Sequence, residues 1–545
     1  MFPYAEERFT DAEAEVLRRY VTNLDGPVFA LVNLPEVVKG ALFARYSRSP
    51  KSLRRLFLDE FVGDLDVSGD AGVDATVGLE RAEKLYERVF YEYGDDSVAQ
   101  LGGVHLACEQ ASNLLTKVLE WGRLMAYLEQ STRYIGYDSR LSSGHYRYFR
   151  DPDVLESPLG ARYVGDMDRM FDTYAEMLPL MQSHFAQRFP RQPGDSDFVY
   201  RQSVRAKALD ALRGLLPAAS LSNVGIYGTG QSYEMLLLRM QLHPLPEARR
   251  YGEMMLEELR KVIPSFLQRV DVPERGGQWA RYLADTRQQT GDVVSRLWPD
   301  RHDPLEGEIA RVRLVDFDPQ GEDKVLAAVC YPHTSLPEEE VARRVQLLGA
   351  EDRAGLLRAY VGQRANRRHR PGRAFERTGY RFDVVSDYGA FRDLQRHRML
   401  TIEWQELGAT LGYDVPDGVV EAGLADAYTA SMARSAELHE ALCGVCPDQA
   451  SYAVALGYRL RYVMQMNARE AMHLIELRSG QQGHPTYRAL AQEMHRLIAD
   501  RAGHGAIAAA MEFVDHDTHD LERIDAERRA EARREAAAGV GVVPR

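Results

Sequence analysis

Apolar residues at i, i+3, i+4, i+7 and i+8 put Ala111, Leu114, Leu115, Val118 and Leu119 on one face of an expected amphipathic helix. Gly94-Asp95-Asp96-Ser97 breaks the chain before it, with Asp96 or Ser97 placed to cap it. Residues 9–58 read as helix, a short apolar strand at 28–32, and helix again, with 41–47 in the second helix. Residues 64–76, rich in Gly, Asp and Val, read as a loop. Helices are expected over 165–188 and 247–262, after which the Gly276-Gly277 pair weakens the pattern, and residues 298–304 read as a linker. A fresh start follows: 312–317 alternates as a half-buried strand does, 324–330 is a second apolar run, and 337–348 is a helix with Glu338 to Glu340 in its first turn. An Arg-dense segment covers 364–377 and the last clear unit is 452–478. From His516 onward the tail reads as a charged, Ala-rich helix that fades by 539–545.

Composition narrows the function. A chain of 545 residues that is 45% hydrophobic can bury two to four domain cores. A net charge of −13 argues against nucleic acid or an anionic membrane as a partner, yet leaves room for a local arginine pocket. Cys108, Cys330, Cys443 and Cys446 form no disulfide framework, which points to a reducing cytoplasm. Cys443-x-x-Cys446 has no second ligand pair nearby, so no metal set is read. Residues 1–10 carry charges without an apolar core, so no signal peptide is expected, and no run of 18 apolar residues suggests a membrane span.

Candidate chemistry begins at Glu129-Gln130-Ser131-Thr132-Arg133-Tyr134. In extended backbone, alternation puts Glu129, Ser131 and Arg133 on one side as acceptor, donor and cation. That row can hold a small anionic ligand with Arg133 as a fork, or it can be a solvated helix end with a Glu–Arg i,i+4 pair. Two landmarks recur along the chain. Arg123, ahead of Gly136-Tyr137-Asp138, recurs as Arg398 ahead of Gly412-Tyr413-Asp414, and Leu238-Arg239 recurs as Leu477-Arg478. The offsets, 398 − 123 = 275 and 478 − 239 = 239, suggest two fused copies of one domain.

Residues 121–134, W-G-R-L-M-A-Y-L-E-Q-S-T-R-Y, resemble the R-H-R-x-x-S-x-N-E-x-S-x-R-Y signature of the flavin-dependent thymidylate synthases in their second part. The missing part lies in the other half, at Arg396-His397-Arg398, where the remainder of the signature is absent in turn. Residues 467–478 resemble the family's N-A-R-S-L-x-N-F-L-x-L-R helix, with Asn467, Arg469 and Arg478 in place and His473 for the second Asn. Glu376 lies in a segment similar to the family's Glu-containing one. In the first half the helix keeps Arg239 alone, with Gly228 and Gly230 at the places of the Asn and Arg, while Arg213 fits the family's phosphate-binding Arg. A gapless count back from Arg478 puts Tyr452 opposite Arg213.

The resemblance implies an α+β fold of two tandem domains, each mostly helical with a small antiparallel sheet: 1–300, which keeps the nucleotide side, and 308–515, which keeps the flavin side, followed by a helical tail over 516–545. It assigns Glu129, Ser131, Arg133, Arg213, Arg239 and Arg478 to the substrate, and Glu376, Arg396, His397, Arg398, Asn467, Arg469 and His473 to FAD. The implied reaction is reductive methylation of dUMP, or a related uridylate, at C5. Methylenetetrahydrofolate and NADPH are its co-substrates, and Arg239 or Arg478 stabilises charge on a uracil oxygen. The family's tetramers build sites from several subunits, so a homodimer acting as a pseudo-tetramer is expected. The competing reading is a catalytically inactive relative that binds flavin or nucleotide in a regulatory or structural role.

Overall fold

The computed structural model describes residues 4, 7–34, 39, 42–43, 46, 49–60, 103–299, 310–519, 521 and 523–539. The expected loop at 64–76 and break at 94–97 lie outside these, as do most of the 41–47 helix, most of the linker and residues 540–545. The fold is α+β and mostly helical, with one small antiparallel sheet in each half. β1 (Val28–Leu31), β2 (Gly103–Ser112), β3 (Met125–Glu129) and β4 (Leu221–Thr229) lie in the order β1-β2-β4-β3. β5 (Val312–Phe317), β6 (Gly379–Asp387), β7 (Leu400–Trp404) and β8 (Arg459–Asn467) repeat it as β5-β6-β8-β7.

The repeat extends to the register. Ser112 pairs with Leu221 and Asp387 with Arg459, so 387 − 112 = 275 relates β2 to β6 and 459 − 221 = 238 relates β4 to β8. Met125 opposite Gly228 and Leu400 opposite Met466 give the same two offsets. At the other end of the ladder Gly103 faces Thr229 and Gly379 faces Asn467, and 379 − 103 = 276. The extra residue is a bulge in β2 between Cys108 and Ala111, where Gln110 takes a φ of 55° and donates its N–H to Asn223 Oδ1 at 2.9 Å.

Burial explains which patterns held. In β8, buried Leu460, Tyr462, Met464 and Met466 alternate with less buried residues, the mark of a strand packed on one face. β2 is paired on both edges and buried along most of its length, so its apolar residues do not alternate. That overturns the helix expected at 111–119: β2 runs to Ser112, and only Leu115–Leu119 is helical. The apolar run at 324–330 belongs to the helix Gly321–Cys330. Gly276 opens the helix Gly276–Leu297 instead of weakening it, because a Cβ there would sit 1.9 Å from the Val270 carbonyl oxygen.

By compactness the chain forms two units. Unit 1 comprises Met1–Ala175, Leu216–Pro304 and Ala430–Ala455; unit 2 comprises Glu176–Leu215, Leu305–Thr429 and Leu456–Arg545. Each unit thus holds one sheet and takes one segment from the opposite half of the sequence. In unit 1 the helix Pro246–Arg260 packs on β1 through a face that includes Tyr251, Met255 and Leu259. In unit 2 the helix Pro485–Asp500 covers β5 and β6 with Tyr487, Leu490, Ala491, Met494 and Ile498. Burying each large side chain of that stripe contributes about 1.5–3 kcal/mol. Among the described residues, no helix is long and apolar enough to cross a membrane.

Candidate functional site

The richest cluster of sequence-predicted residues lies in unit 2. Asp387 ends β6, and its carboxylate accepts the Ala390 N–H at 2.8 Å, capping the helix Tyr388–Leu394. That helix exits into Arg396-His397-Arg398, just ahead of β7. β8 ends on Asn467, whose carboxamide oxygen accepts the Glu470 N–H at 2.9 Å and caps the helix Ala468–Arg478. Because Leu400 pairs with Met466, the start of β7 lies beside the end of β8, and His397 meets that helix.

His397 is buried, with Glu470 Oε1 2.9 Å from its Nδ1 and Arg478 Nε 3.0 Å from its Nε2. A guanidinium can only donate, so Nε2 accepts, and the ring is neutral with its proton on Nδ1 donated to Glu470. Burial, helped by nearby Arg478 and His473, holds the imidazole down to about 4 against the pull of Glu470. Burial pushes Glu470 up, but the hydrogen bonds from His397 and His473 outweigh it and bring the carboxyl to about 2. His473 Nδ1 lies 3.3 Å from the other Glu470 oxygen. Ligand atoms of His397, Glu470 and His473 lie within 4.8 Å of one another, as a metal set would. A metal on His397 Nδ1 would leave the proton on Nε2 facing the Arg478 donor, so the trio suits hydrogen bonds better than a metal.

Arg478 continues the network. Asp393 lies 3.9 Å from its guanidinium, 4.0 Å from Arg396 and 3.5 Å from Arg213. Arg213 also reaches Asp387 at 3.4 Å. Burial raises the Asp387 carboxyl even beside that cation, and Thr486 adds a side-chain hydrogen bond. Arg213 and Asp387 line a cleft of about 460 Å³ with Lys207, Tyr428, His484 and His519. Arg213, Arg396, His397, His473 and Arg478 are therefore brought together. Nearby on the same helix, Arg469 Nε donates to the Pro371 carbonyl at 3.0 Å, and its Nη1 lies 3.4 Å from Glu376. Arg398 is exposed.

In unit 1, Glu129 ends β3 and is buried, 3.3 Å from Lys117 Nζ, which is 2.5 Å from Glu120. Ser131 and Arg133 follow, and the Arg133 N–H donates to Ser131 Oγ at 3.3 Å. The Arg239 guanidinium stacks 4.9 Å from the Trp121 ring. The strand register corrects four pairings made by counting. Thr229 caps its helix through Ser232 as Asn467 does through Glu470, so Thr229 and Gln231, not Gly228 and Gly230, match Asn467 and Arg469. The same offset, 478 − 240 = 238, sets Met240 opposite Arg478. Ala219 donates to the Tyr452 carbonyl as Gly457 does to that of Gly214, which sets Ser451, not Tyr452, opposite Arg213.

Three acidic residues of this site escaped the sequence reading: Asp387, Asp393 and Glu470. Asp387 had a usable signal, as an Asp closing an apolar run just before Tyr-Gly-Ala. Asp393 and Glu470 each have a partner three residues on, Arg396 and His473, but the partners that tie them into the site, Arg213 and His397, are distant in sequence.

A family model described as thymidylate synthase complementing protein matches the chain twice, over residues 46–265 and 313–502. A UPF0159 protein of Chlamydia muridarum is 39% identical over 533 residues, covering 97% of this chain and 99% of its own. One from Chlamydia pneumoniae is 38% identical over 532 residues, covering 96% and 99%. One from Thermoplasma acidophilum is 31% identical over 524 residues, covering 90% and 97%. The crystal structure of a UMP/dUMP methylase PolB from Streptomyces cacaoi bound with 5-Br dUMP aligns with 38% of this chain and 97% of that one. Its identity is 22% and its TM-score 0.30, too slight a likeness to bear on function.

Proposed function

The chain belongs to the thymidylate synthase complementing protein family, and from that premise we propose that it is an FAD-dependent enzyme methylating C5 of dUMP or a related uridylate, with methylenetetrahydrofolate and NADPH as co-substrates. The observation that best supports this is the convergence of Arg213, Arg396 and Arg478 beside the helix that carries Asn467 and Arg469. The donor set fits a flavin: Arg396, Arg398, Arg469 and the Asn467 amide nitrogen offer N–H groups to the acceptor oxygens of a pyrophosphate and an isoalloxazine ring. When bound, the flavin supplies the hydride.

The chain's own residues bind and orient. Arg478, a cation at neutral pH, stabilises negative charge that develops on a uracil oxygen, and His397 holds it by accepting its Nε–H. Arg213 offers a fork to phosphate, while Glu129, Ser131 and Arg133 supply further substrate contacts. Ancestral duplication accounts for the shared register of the two sheets. Two chains pair as a homodimer of four such domains in the cytoplasm, and sedimentation tests that stoichiometry.

One observation favours a second reading, binding without turnover: the carboxylates of Asp387 and Asp393 already face Arg213. The visible spectrum of the purified protein, taken before and after dUMP, separates the two. Yellow protein whose bands shift with dUMP, and which then forms dTMP, supports the enzyme. Yellow protein without dTMP supports the binding relative. Colourless protein that takes up no added FAD overturns both flavin readings.

A further inference from the structure

The four cysteines differ in what surrounds them. Cys108 is buried in β2, and Cys330 is half-buried at the end of the helix Gly321–Cys330. Burial pushes both thiols up, away from the reactive thiolate form. Cys443 is exposed and is the last residue of the helix Ala425–Cys443. One turn earlier on that helix, His439 places its Nε2 3.7 Å from Cys443 Sγ. Cys446, half-buried, follows three residues after Cys443. All three of these residues belong to unit 1. What stands beside the Cys443-x-x-Cys446 pair is therefore an imidazole in contact with its exposed thiol.

The backbone sets the two sulfurs within bridging range. The chain is still wound when it reaches Cys446, whose N–H donates to the Leu442 carbonyl at 2.7 Å, while the Val445 N–H donates to the same oxygen at 3.0 Å. With a helix radius of about 2.3 Å and a rise of about 1.5 Å per residue, Cα atoms three residues apart are about 5 Å from each other. That lies inside the roughly 4.4–6.8 Å that a disulfide spans. Cys446 itself leaves helical backbone, with φ −135° and ψ 68°, so its side chain is turned off the direction the helix would give it.

We propose that Cys443 and Cys446 form a redox-active dithiol whose substrate is a hydroperoxide, with Cys443 as the attacking thiol, His439 as its base and Cys446 as the resolving thiol. The site is independent of the methylation reading. The terminal carbonyls of the helix work against a negative charge on Cys443, so its proton needs an acceptor at hand. With its own proton on Nδ1, His439 accepts the thiol proton at Nε2. The sulfur attacks one peroxide oxygen and the O–O bond breaks. The departing oxygen takes the proton from His439 and leaves as an alcohol or water. Cys443 is then a sulfenic acid. The Cys446 sulfur attacks it, the S–S bond forms, and the sulfenic hydroxyl leaves as water with the Cys446 proton. The two thiols give up two electrons in all and the peroxide takes them. An external dithiol reverses the bridge by exchange.

The test treats the reduced full chain with one equivalent of hydrogen peroxide, alkylates the remaining thiols with iodoacetamide and maps the peptides by mass spectrometry. Wild type is expected to carry a Cys443–Cys446 disulfide within one chain, reversed by dithiothreitol, while Cys330 is still alkylated in full. Cys446→Ser should stop at the sulfenic acid, which dimedone traps on Cys443. His439→Gln should slow oxidation of Cys443 at least tenfold and leave that of Cys330 as it was. Oxidation of Cys330 as fast as Cys443, a bridge between two chains in place of the internal one, or a His439→Gln variant that oxidises at the wild-type rate overturns the proposal. The wild-type map needs no substitution, so it decides even where a variant does not fold.

Discussion

The two units solve one structural problem with opposite chemistry. Ser112 ends β2 and Asp387 ends β6 at matching places in the register, and each faces the second residue of a Pro-initiated helix, Glu247 or Thr486. In unit 1 the hydroxyl is on the strand and the carboxyl on the helix: Ser112 Oγ donates to Glu247 at 2.5 Å and its N–H at 2.8 Å. In unit 2 the carboxyl is on the strand and the hydroxyl on the helix. The third partner differs as well. Unit 1 supplies Tyr452, whose hydroxyl donates to Glu247 at 2.7 Å. Unit 2 has Gly214 at that matching position, where a Cβ would lie 2.3 Å from the Tyr428 hydroxyl, and uses the preceding residue, Arg213. A carboxyl among hydroxyls makes a seal, whereas a carboxyl beside a guanidinium, next to a cleft, makes a place where an anion can compete.

The largest expected effect comes from removing the cation. Arg213→Met leaves Asp387 and Asp393 without that partner, and one-sided loss of a buried pair costs about 3–5 kcal/mol. Urea denaturation of the full chain reads this directly. A loss under about 1 kcal/mol would show that Arg213 serves the ligand and not the fold.

Next in size is the pH dependence, which should run in opposite directions in the two units. Burial pushes Glu247 up to about 7 despite its three hydrogen bonds. The folded state then keeps a proton that the unfolded chain releases near pH 4.5, so this contribution is full at low pH and is lost as pH rises to 7. His397, held down to about 4, behaves conversely: its contribution is full above pH 6.5 and is lost as pH falls through 4. Each shift is worth roughly 3 kcal/mol. Glu247→Gln should flatten the loss on rising pH and leave the acid side as it was. If stability measured from pH 4 to 8 shows the acid side moving instead, the assignment of the two groups is reversed.

Smaller again is Tyr452→Phe. Glu247 keeps its Ser112 partners, so the variant forfeits one hydrogen bond to a buried carboxyl and costs about 1–2 kcal/mol in urea. An equal loss from Ser112→Ala would mean that the two donors are interchangeable. A larger loss there would place the seal on the strand.

How much of this could be read in the sequence depended on locality. Asn467, Arg469 and Arg478 lie in one helix whose cap and apolar face are local features, and the strand at Val312–Phe317 alternates visibly. The repeat was legible through its landmarks, but its register was not. Counting back from one Arg to the other gave 239, while the capping residues and ladders give 238, and that single residue exchanges Tyr452 for Ser451 and Arg239 for Met240. Helical positions carry no visible register, so matching Arg to Arg was the only guide until strand pairs fixed it. Asp393 and Glu470 have ordinary i,i+3 neighbours in Arg396 and His473, which mark any helical surface, while the partners that single them out, Arg213 and His397, are 180 and 73 residues away.

The smallest expected effect sharpens the comparison most. Trp121→Arg puts into unit 1 the residue that unit 2 has at Arg396. It removes the stack with Arg239, worth about 0.5–1 kcal/mol at a partly exposed site, and adds a like charge beside it. Stability should fall by roughly that amount, within what a solvated surface tolerates. A loss under about 0.5 kcal/mol would show that Arg239 finds other partners once the ring is gone. A loss well above about 1 kcal/mol would mean that the two like charges are poorly screened there, so that the surroundings, and not the one side chain, set the difference between the units at this place.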